Sequence, residues 1–350
     1  MRRVSRIALA GTATVALAAS LSACGGTSSD AASKSSGGKD KGLAISFDVG
    51  GRGDQSFNDA AYEGLVKAQK TFGYKTTSQE PTDGETDADK TARLVALAKQ
   101  GYNPVIGIGY SYAPAISAAA KKFPKTTFGI VDDSQDQAKN IADLVFSEQE
   151  SSYLAGVAAA EATKTKTVGF VGGVDVPLIH KFQAGFLQGV HDTDPKVKVL
   201  SQYLTQTAQE GGFASPDKGK TAAEAQIEKG ADVVYHAAGL SGQGVIQAAA
   251  AKKVWAIGVD SDQYKQKALA KYKDYILTSA TKNVSQAVFN LAKSVHDGKP
   301  ESGIIRGDLK SGGVGLADSN PKFSGNDAIQ KAVKAAEADI ISGKIQVNSK

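Results

Sequence analysis

The chain has 350 residues, room for about two domains. Its one cysteine, Cys24, excludes a disulfide framework and any cysteine-rich metal site. Basic residues number 41 against 36 acidic ones, too small an excess to favour nucleic acid as a partner.

In chain order, MRRVSR is basic and Ile7 to Ala19 is an apolar run, shorter than the roughly 20 residues of a spanning helix. Residues 1–23 are therefore expected to be a secretory signal. Leu21-Ser22-Ala23-Cys24 matches the bacterial lipobox, in which a lipid is attached to the cysteine and the chain is cut just before it. The plainer alternative is an ordinary signal followed by an incidental thiol. Cutting there removes Arg2, Arg3 and Arg6 and no acid, leaving 38 basic groups (41 less 3) against 36 acidic ones. Residues 24–42 are Gly/Ser/Lys-rich without apolar periodicity, a flexible tether.

From Leu43 onward, apolar runs alternate with helical patterns. The runs are 43–48, 104–109, 126–132, 167–172, 232–239 and 254–260. They are continuously apolar, as in strands covered on both faces, and predict an α/β fold with parallel sheets. Between them, Ala61, Leu65, Ala68 and Phe72 recur at helical spacing. Ser56 is the expected N-cap, with Asp59 three residues on, and Gly73 the expected stop. Val284, Val288, Leu291 and Val295 mark a second such helix, ended by Gly298. No internal repeat is visible in the sequence, although the strand-helix rhythm restarts near Thr167.

Ligands of open parallel sheets sit beyond the carboxyl ends of the strands. The predicted strands end at Asp48, Gly109 before Tyr110-Ser111-Tyr112, Asp132, Gly172-Gly173, Gly239 and Asp260. Each acid alone reads as a cap or solvated loop residue; three of them on three strand ends favour a set converging on a ligand rich in hydroxyl and N–H donors. Four scattered histidines (His180, His191, His236, His296) offer no zinc pair, and no Walker A sequence or G-x-S-x-G elbow occurs, so neither metal nor cofactor is expected. GLSGQG (239–244) reads either as a phosphate-approaching turn or as a strand-to-helix connection needing unusual backbone angles.

The segments D-V-G-G-x-G-D-x-S-F-N (48–58), F-G-I-V-D-D (128–133), V-G-F-V-G-G-V-D-V-P-L-I (168–179), F-x-x-G-F-x-x-G (182–189), A-A-G-x-S-G-x-G-V (237–245), G-V-D-S-D-Q (258–263) and T-S-A-T-K (278–282) resemble, in this order, the basic membrane protein family of bacterial lipoproteins. Its best understood members are purine nucleoside receptors that feed ABC importers. The resemblance implies a type I periplasmic-binding-protein fold, with two Rossmann-like lobes of parallel sheet joined by a hinge. Lobe 1 is expected at 43–147, with roughly 281–312 returning to it, and lobe 2 at 148–280 with roughly 313–350.

It also implies a ligand site. Phe57 and Asn58 would stack on a base and read its edge, with a second ring from Phe182; Phe182 and Phe186 share a helical stripe with Ile179, so either could instead be core. Asp132, with Asp48, would make polar contacts near the base. Asp260, Lys282 and the backbone at Gly239 would hold ribose hydroxyls. The expected protein is a monomeric, lipid-anchored receptor on the outer face of the cell membrane. It delivers nucleosides to an ABC permease and its ATPase and performs no bond chemistry. A receptor for another hydroxylated ligand, such as a sugar or a signalling furanose, is the alternative within the class. An enzyme of nucleoside metabolism or a dehydrogenase is the alternative outside it, disfavoured because no general base is paired with a nucleophile.

Overall fold

The structure, a computed structural model, describes residues 41–135 and 138–350. The expected signal peptide and Cys24 lie outside the described residues.

Twelve strands occur among the described residues: β1 (Ala44–Phe47), β2 (Thr77–Gln79), β3 (Val105–Ile108), β4 (Phe128–Val131), β5 (Ile141–Phe146), β6 (Thr167–Val174), β7 (Lys198–Thr205), β8 (Val233–Ala237), β9 (Trp255–Asp260), β10 (Ile276–Lys282), β11 (Gly303–Gly307) and β12 (Val314–Leu316). The helices are α1 (Phe57–Phe72), α2 (Asp87–Lys99), α3 (Ala113–Lys122), α4 (Glu148–Ala162), α5 (Pro177–Thr193), α6 (Pro216–Glu228), α7 (Gly242–Lys252), α8 (Val284–His296), α9 (Pro321–Ser324) and α10 (Asp327–Ile341). The six apolar runs became β1, β3, β4, β6, β8 and β9.

Two six-stranded sheets result, ordered β2-β1-β3-β4-β5-β11 and β7-β6-β8-β9-β10-β12. Pairing is parallel throughout except where β12 runs antiparallel to β10. The two orders are the same in sequence rank, so the second sheet repeats the first, beginning at Thr167. In each, the order reverses beside the first strand, between β1 and β3 and between β6 and β8. That crevice is where doubly wound sheets bind ligands.

Burial on both faces explains the continuous apolar runs. Leu43, Ile45 and Phe47 pack into the cluster that holds α1 and α8, while Ala44 faces Leu94, Tyr112 and Ile116 of the α2/α3 layer. In the second sheet Phe170 and Tyr235 face α4 and α5, and Val171 and Val234 face α6 and α7. The spacing F-x-x-G-F-x-x-G is a packing device. A Cβ at Gly185 or Gly189 would lie 2.1 Å from the Gln149 or Tyr153 carbonyl of α4, so only glycine lets the two helix backbones approach. Phe186, wholly buried against Phe170 and Tyr235, belongs to this core.

The chain passes between the sheets from β5 to α4, from β10 to α8 and from β11 to β12. Residues on the two sides of these crossings face each other across a cleft.

Candidate ligand-binding cleft

One cavity opens between the carboxyl ends of both sheets, with about 590 Å³ of space between protein atoms, counting the part open to solvent. All eight residues expected to touch ligand line it: Asp48, Phe57, Asn58, Asp132, Phe182, Gly239, Asp260 and Lys282. Strand geometry brings them together. Asp48 and Asp132 directly follow β1 and β4, and Asp260 ends β9. Asp132 and Asp260 hold left-handed backbone, with φ of 71° and 62°, which is unfavourable for a residue with a Cβ. Strain of this kind clusters at functional sites.

The N-terminus of α1 is built differently from expectation. Ser56 occupies the N-cap position, but its side chain makes no cap hydrogen bond. The Asp54 carboxylate does this work, accepting from Ser56 N at 3.0 Å, Asn58 N at 2.8 Å and Asp59 N at 3.1 Å. The sequence D-Q-S-F-N thus turns on an acid two residues before the cap, which leaves Phe57 and Asn58 projecting at the cleft. Burial pushes the Asp54 carboxyl up, against these three N–H donors.

Lys282 is the centre of the buried polar cluster. Its Nζ donates to Asp132 Oδ2 at 2.8 Å and lies 3.7 Å from Asp260 Oδ1 and 3.9 Å from Glu148 Oε1. The ammonium also sits 4.7 Å from the ring centre of Phe57 and 5.4 Å from that of Phe182. Burial lowers the affinity of Lys282 for its proton, but Asp132, Asp260 and Glu148 outweigh it and hold the lysine charged. Burial pushes Asp260 up to about 7, partly offset by Lys282 and reinforced by Asp132. Burial also raises Glu148, against the attraction of Lys282.

The expectation grouped Asp132 with Asp48; the geometry pairs it with Lys282. β3 lies between β1 and β4, so the two acids end strands about 10 Å apart, twice the strand spacing. Asp48 instead accepts from Val49 N at 2.8 Å and faces Lys90 at 3.7 Å. Between the acids stand Gly109 and Tyr110. Burial, with Asp48 adding to it, pushes the Tyr110 phenol up to about 12, so at neutral pH it is a hydrogen-bond donor.

Four buried acceptors in or beside the cavity have no hydrogen-bond partner: Asn58 Oδ1, Asp132 Oδ1, Asp260 Oδ1 and Glu148 Oε1. An unsatisfied buried acceptor costs about 1–3 kcal/mol, so the site is set to receive donors. Phe57, Leu178, Ile179, Phe182, Phe213 and Leu240 supply the apolar walls.

Sequence reasoning missed three contributors. Asp54 stood in a quoted motif but was given no role. Glu148 looks like an ordinary first-turn acid of α4, and Phe213 lies in a loop with no pattern to mark it. GLSGQG is explained by packing: a Cβ on Gly242 would lie 2.1 Å from the His236 ring and one on Gly244 1.8 Å from the Pro216 carbonyl.

Two parallel α/β lobes with a lined cleft between their switch points define a bilobal binding protein for small solutes. The family model described as ABC transporter substrate-binding protein PnrA-like matches residues 41–350, and the chain belongs to this, the basic membrane protein family. It is 40% identical over 324 residues to the ABC transporter nucleoside-binding protein BmpA of Lactococcus lactis, covering 88% of this chain and 89% of that protein. An uncharacterized lipoprotein of Pyrococcus horikoshii is 36% identical over 299 residues, covering 80% of this chain and 70% of that one. Among solved structures, an ABC transporter solute-binding protein from Aeropyrum pernix superposes with a TM-score of 0.76 at 27% identity, covering 88% of this chain and 93% of that chain. The fold is the type I periplasmic-binding-protein fold.

Proposed function

We propose that this protein captures a nucleoside, preferably a purine nucleoside, between its lobes and presents it to the permease of an ABC importer. It binds and releases its ligand without bond chemistry and is held at the outer face of the membrane by lipid on Cys24. The observation that carries this reading is the two-ended cavity. At one end a buried ammonium stands among three carboxylates with unsatisfied oxygens, suited to vicinal hydroxyls that both donate and accept. Toward Asp48, whose strand end lies about 10 Å from that of Asp132, Tyr110 and Asn58 present groups suited to the edge of a base, and Phe57 and Phe182, whose rings lie 4.7 and 5.4 Å from the ammonium, are candidate stacking rings. The nucleoside-binding relative supports the same ligand class, and the lipoprotein relative supports the anchor.

Calorimetry with guanosine, 2′,3′-dideoxyguanosine, guanine and glucose tests the ligand. The expected ranking places guanosine first, with a large loss on removing the ribose hydroxyls; a preference for glucose over every nucleoside would promote the sugar-receptor reading. For the anchor, Cys24→Ser should abolish labelling by radioactive fatty acid, and unchanged labelling would refute it.

A further inference from the structure

Three side chains of the second lobe donate to consecutive turns of one short loop of the first. Gln243 Nε2, on α7, donates to the Gly53 carbonyl at 2.7 Å. Gln263 Nε2, in the loop after β9, donates to the Gln55 carbonyl at 3.1 Å. Ser261 Oγ, in the same loop, donates to the Ser56 carbonyl at 2.9 Å. None of the three donors lines the ligand cavity.

Both partners of this contact are held in place before they meet. Gln263 is wholly buried; its Oε1 accepts from Val259 N at 3.1 Å and faces His236 Nε2 at 3.0 Å, which leaves its Nε2 to point at the other lobe. Burial pushes His236 down to about 4, so the ring is neutral at physiological pH and serves as donor to that oxygen. On the other side, Gln55 has left-handed backbone, φ 57°, pinned by its N–H to Asp59 Oδ2 at 3.0 Å. That conformation turns the loop so that the Gly53, Gln55 and Ser56 carbonyls meet the second lobe. The same loop carries Asp54, the cap of α1, and leads directly into Phe57 and Asn58.

We infer that Gln243, Ser261 and Gln263 form an inter-lobe latch on the loop 53–56: positioning residues that hold the cleft shut over its ligand and set the ligand's residence time without touching it. Opening the lobes separates all three donors from their acceptors. The latch therefore weights the closed state by the same factor whatever ligand is inside, and acts on dissociation rather than on encounter. Ligand choice stays with the cavity residues.

The test uses the purified full-length protein carrying Gln243→Ala and Ser261→Ala together, both at half-buried positions, with Gln263 left intact because its buried bonds to His236 support the lobe itself. The probe is guanosine, and this arm rests on the nucleoside reading. Two neutral hydrogen bonds predict dissociation faster by about 5- to 100-fold, with the association rate and the ratio of guanosine to 2′,3′-dideoxyguanosine affinity unchanged. Ser261→Thr, which keeps the hydroxyl, should stay within about twofold of wild type, whereas Gln243→Glu, of equal size but with no donor, should by itself speed release. Wild-type release from the double variant, or a changed nucleoside preference, overturns the latch. Should the wild-type protein bind no guanosine, the nucleoside reading fails on its own account. Small-angle scattering of the ligand-free proteins then decides the latch: a larger radius of gyration for the double variant upholds it, and identical scattering overturns it.

Discussion

The two ends of the cleft use the same kinds of residue to opposite effect. At the β1 end, Asp48 accepts from Val49 N and faces Lys90, which in turn donates to Ser111 Oγ at 2.5 Å. One acid meets one base there, and neither leaves a buried polar atom without a partner. At the Lys282 end three carboxylates share one buried ammonium, and one oxygen of each lacks a hydrogen-bond partner. The first arrangement shapes the wall of the cavity. The second is incomplete within the chain itself, and its missing hydrogen bonds describe the donors a ligand must bring.

The largest effect should come from removing the shared cation. Lys282→Met leaves Asp132 and Asp260 with no cation and Glu148 with only the half-buried Lys181 at 3.3 Å, and breaking such a cluster typically costs about 3–5 kcal/mol. Urea unfolding of the ligand-free protein at pH 7 should show this loss. The matching change at the satisfied end, Lys90→Met, leaves only Asp48 without its cation and should cost clearly less; equal losses would erase the contrast between the two ends.

The next effect depends on pH. Asp260 rises from 3.8 to about 7 in the folded protein. Between those values the folded state keeps a proton that the unfolded state has released, so stability is full below about 4 and falls as pH rises through 7. Asp260→Asn removes that loss, and melting curves should show the variant gaining on wild type from pH 5 to pH 7, by up to about 2.7 kcal/mol, and levelling off above that. A constant difference across this range would show that Asp260 does not take up a proton on folding.

A third change probes the frame that presents Phe57. Asp54→Ala deprives three N–H groups at the start of α1 of their acceptor. The expected cost is about 0.5–2 kcal/mol of stability, together with weaker ligand binding. Ser56→Ala, at the position sequence alone marks as the cap, should cost far less, since the Ser56 hydroxyl has no hydrogen-bond partner.

The smallest effect is expected at the apolar walls. Phe57→Ala should forfeit about 0.5–1.5 kcal/mol of stacking beyond the area term, by a similar amount for guanosine, adenosine and inosine, because a ring reads a flat face. Isothermal calorimetry that found one nucleoside spared would place Phe57 away from the base.

The sheets were legible where apolar residues run unbroken, and unreadable where they do not. β5 carries the buried Asp143 in its middle, β7 is an edge strand with Lys198, Ser201 and Gln202 exposed, and β10 reads TSATK at the end that enters the cleft. Each is a strand because neighbours pair with it, a cause that a local pattern does not record. The glycine motifs show the same division. Their presence marks positions that tolerate no Cβ, but the spacing does not say whether a phosphate, a helix or a histidine ring occupies the space.

By itself the sequence determined the class of fold and the strand-end acids that open on the cavity, and its resemblance to the family named the other residues that line it, because strand-end acids and motif order are local properties of the chain. Only the tertiary structure decided their grouping. Asp132 joins Lys282 and not Asp48 because β3 separates their strands and the β10 end brings the lysine across from the other lobe. Phe182 faces the cavity while Phe186, one turn on along the same stripe, is buried against Phe170 and Tyr235, because α5 lies close on α4 and the core begins between them. Charge pairing, burial and the reach of one lobe to another depend on distances between residues far apart in the chain, and those distances exist only once both sheets have formed.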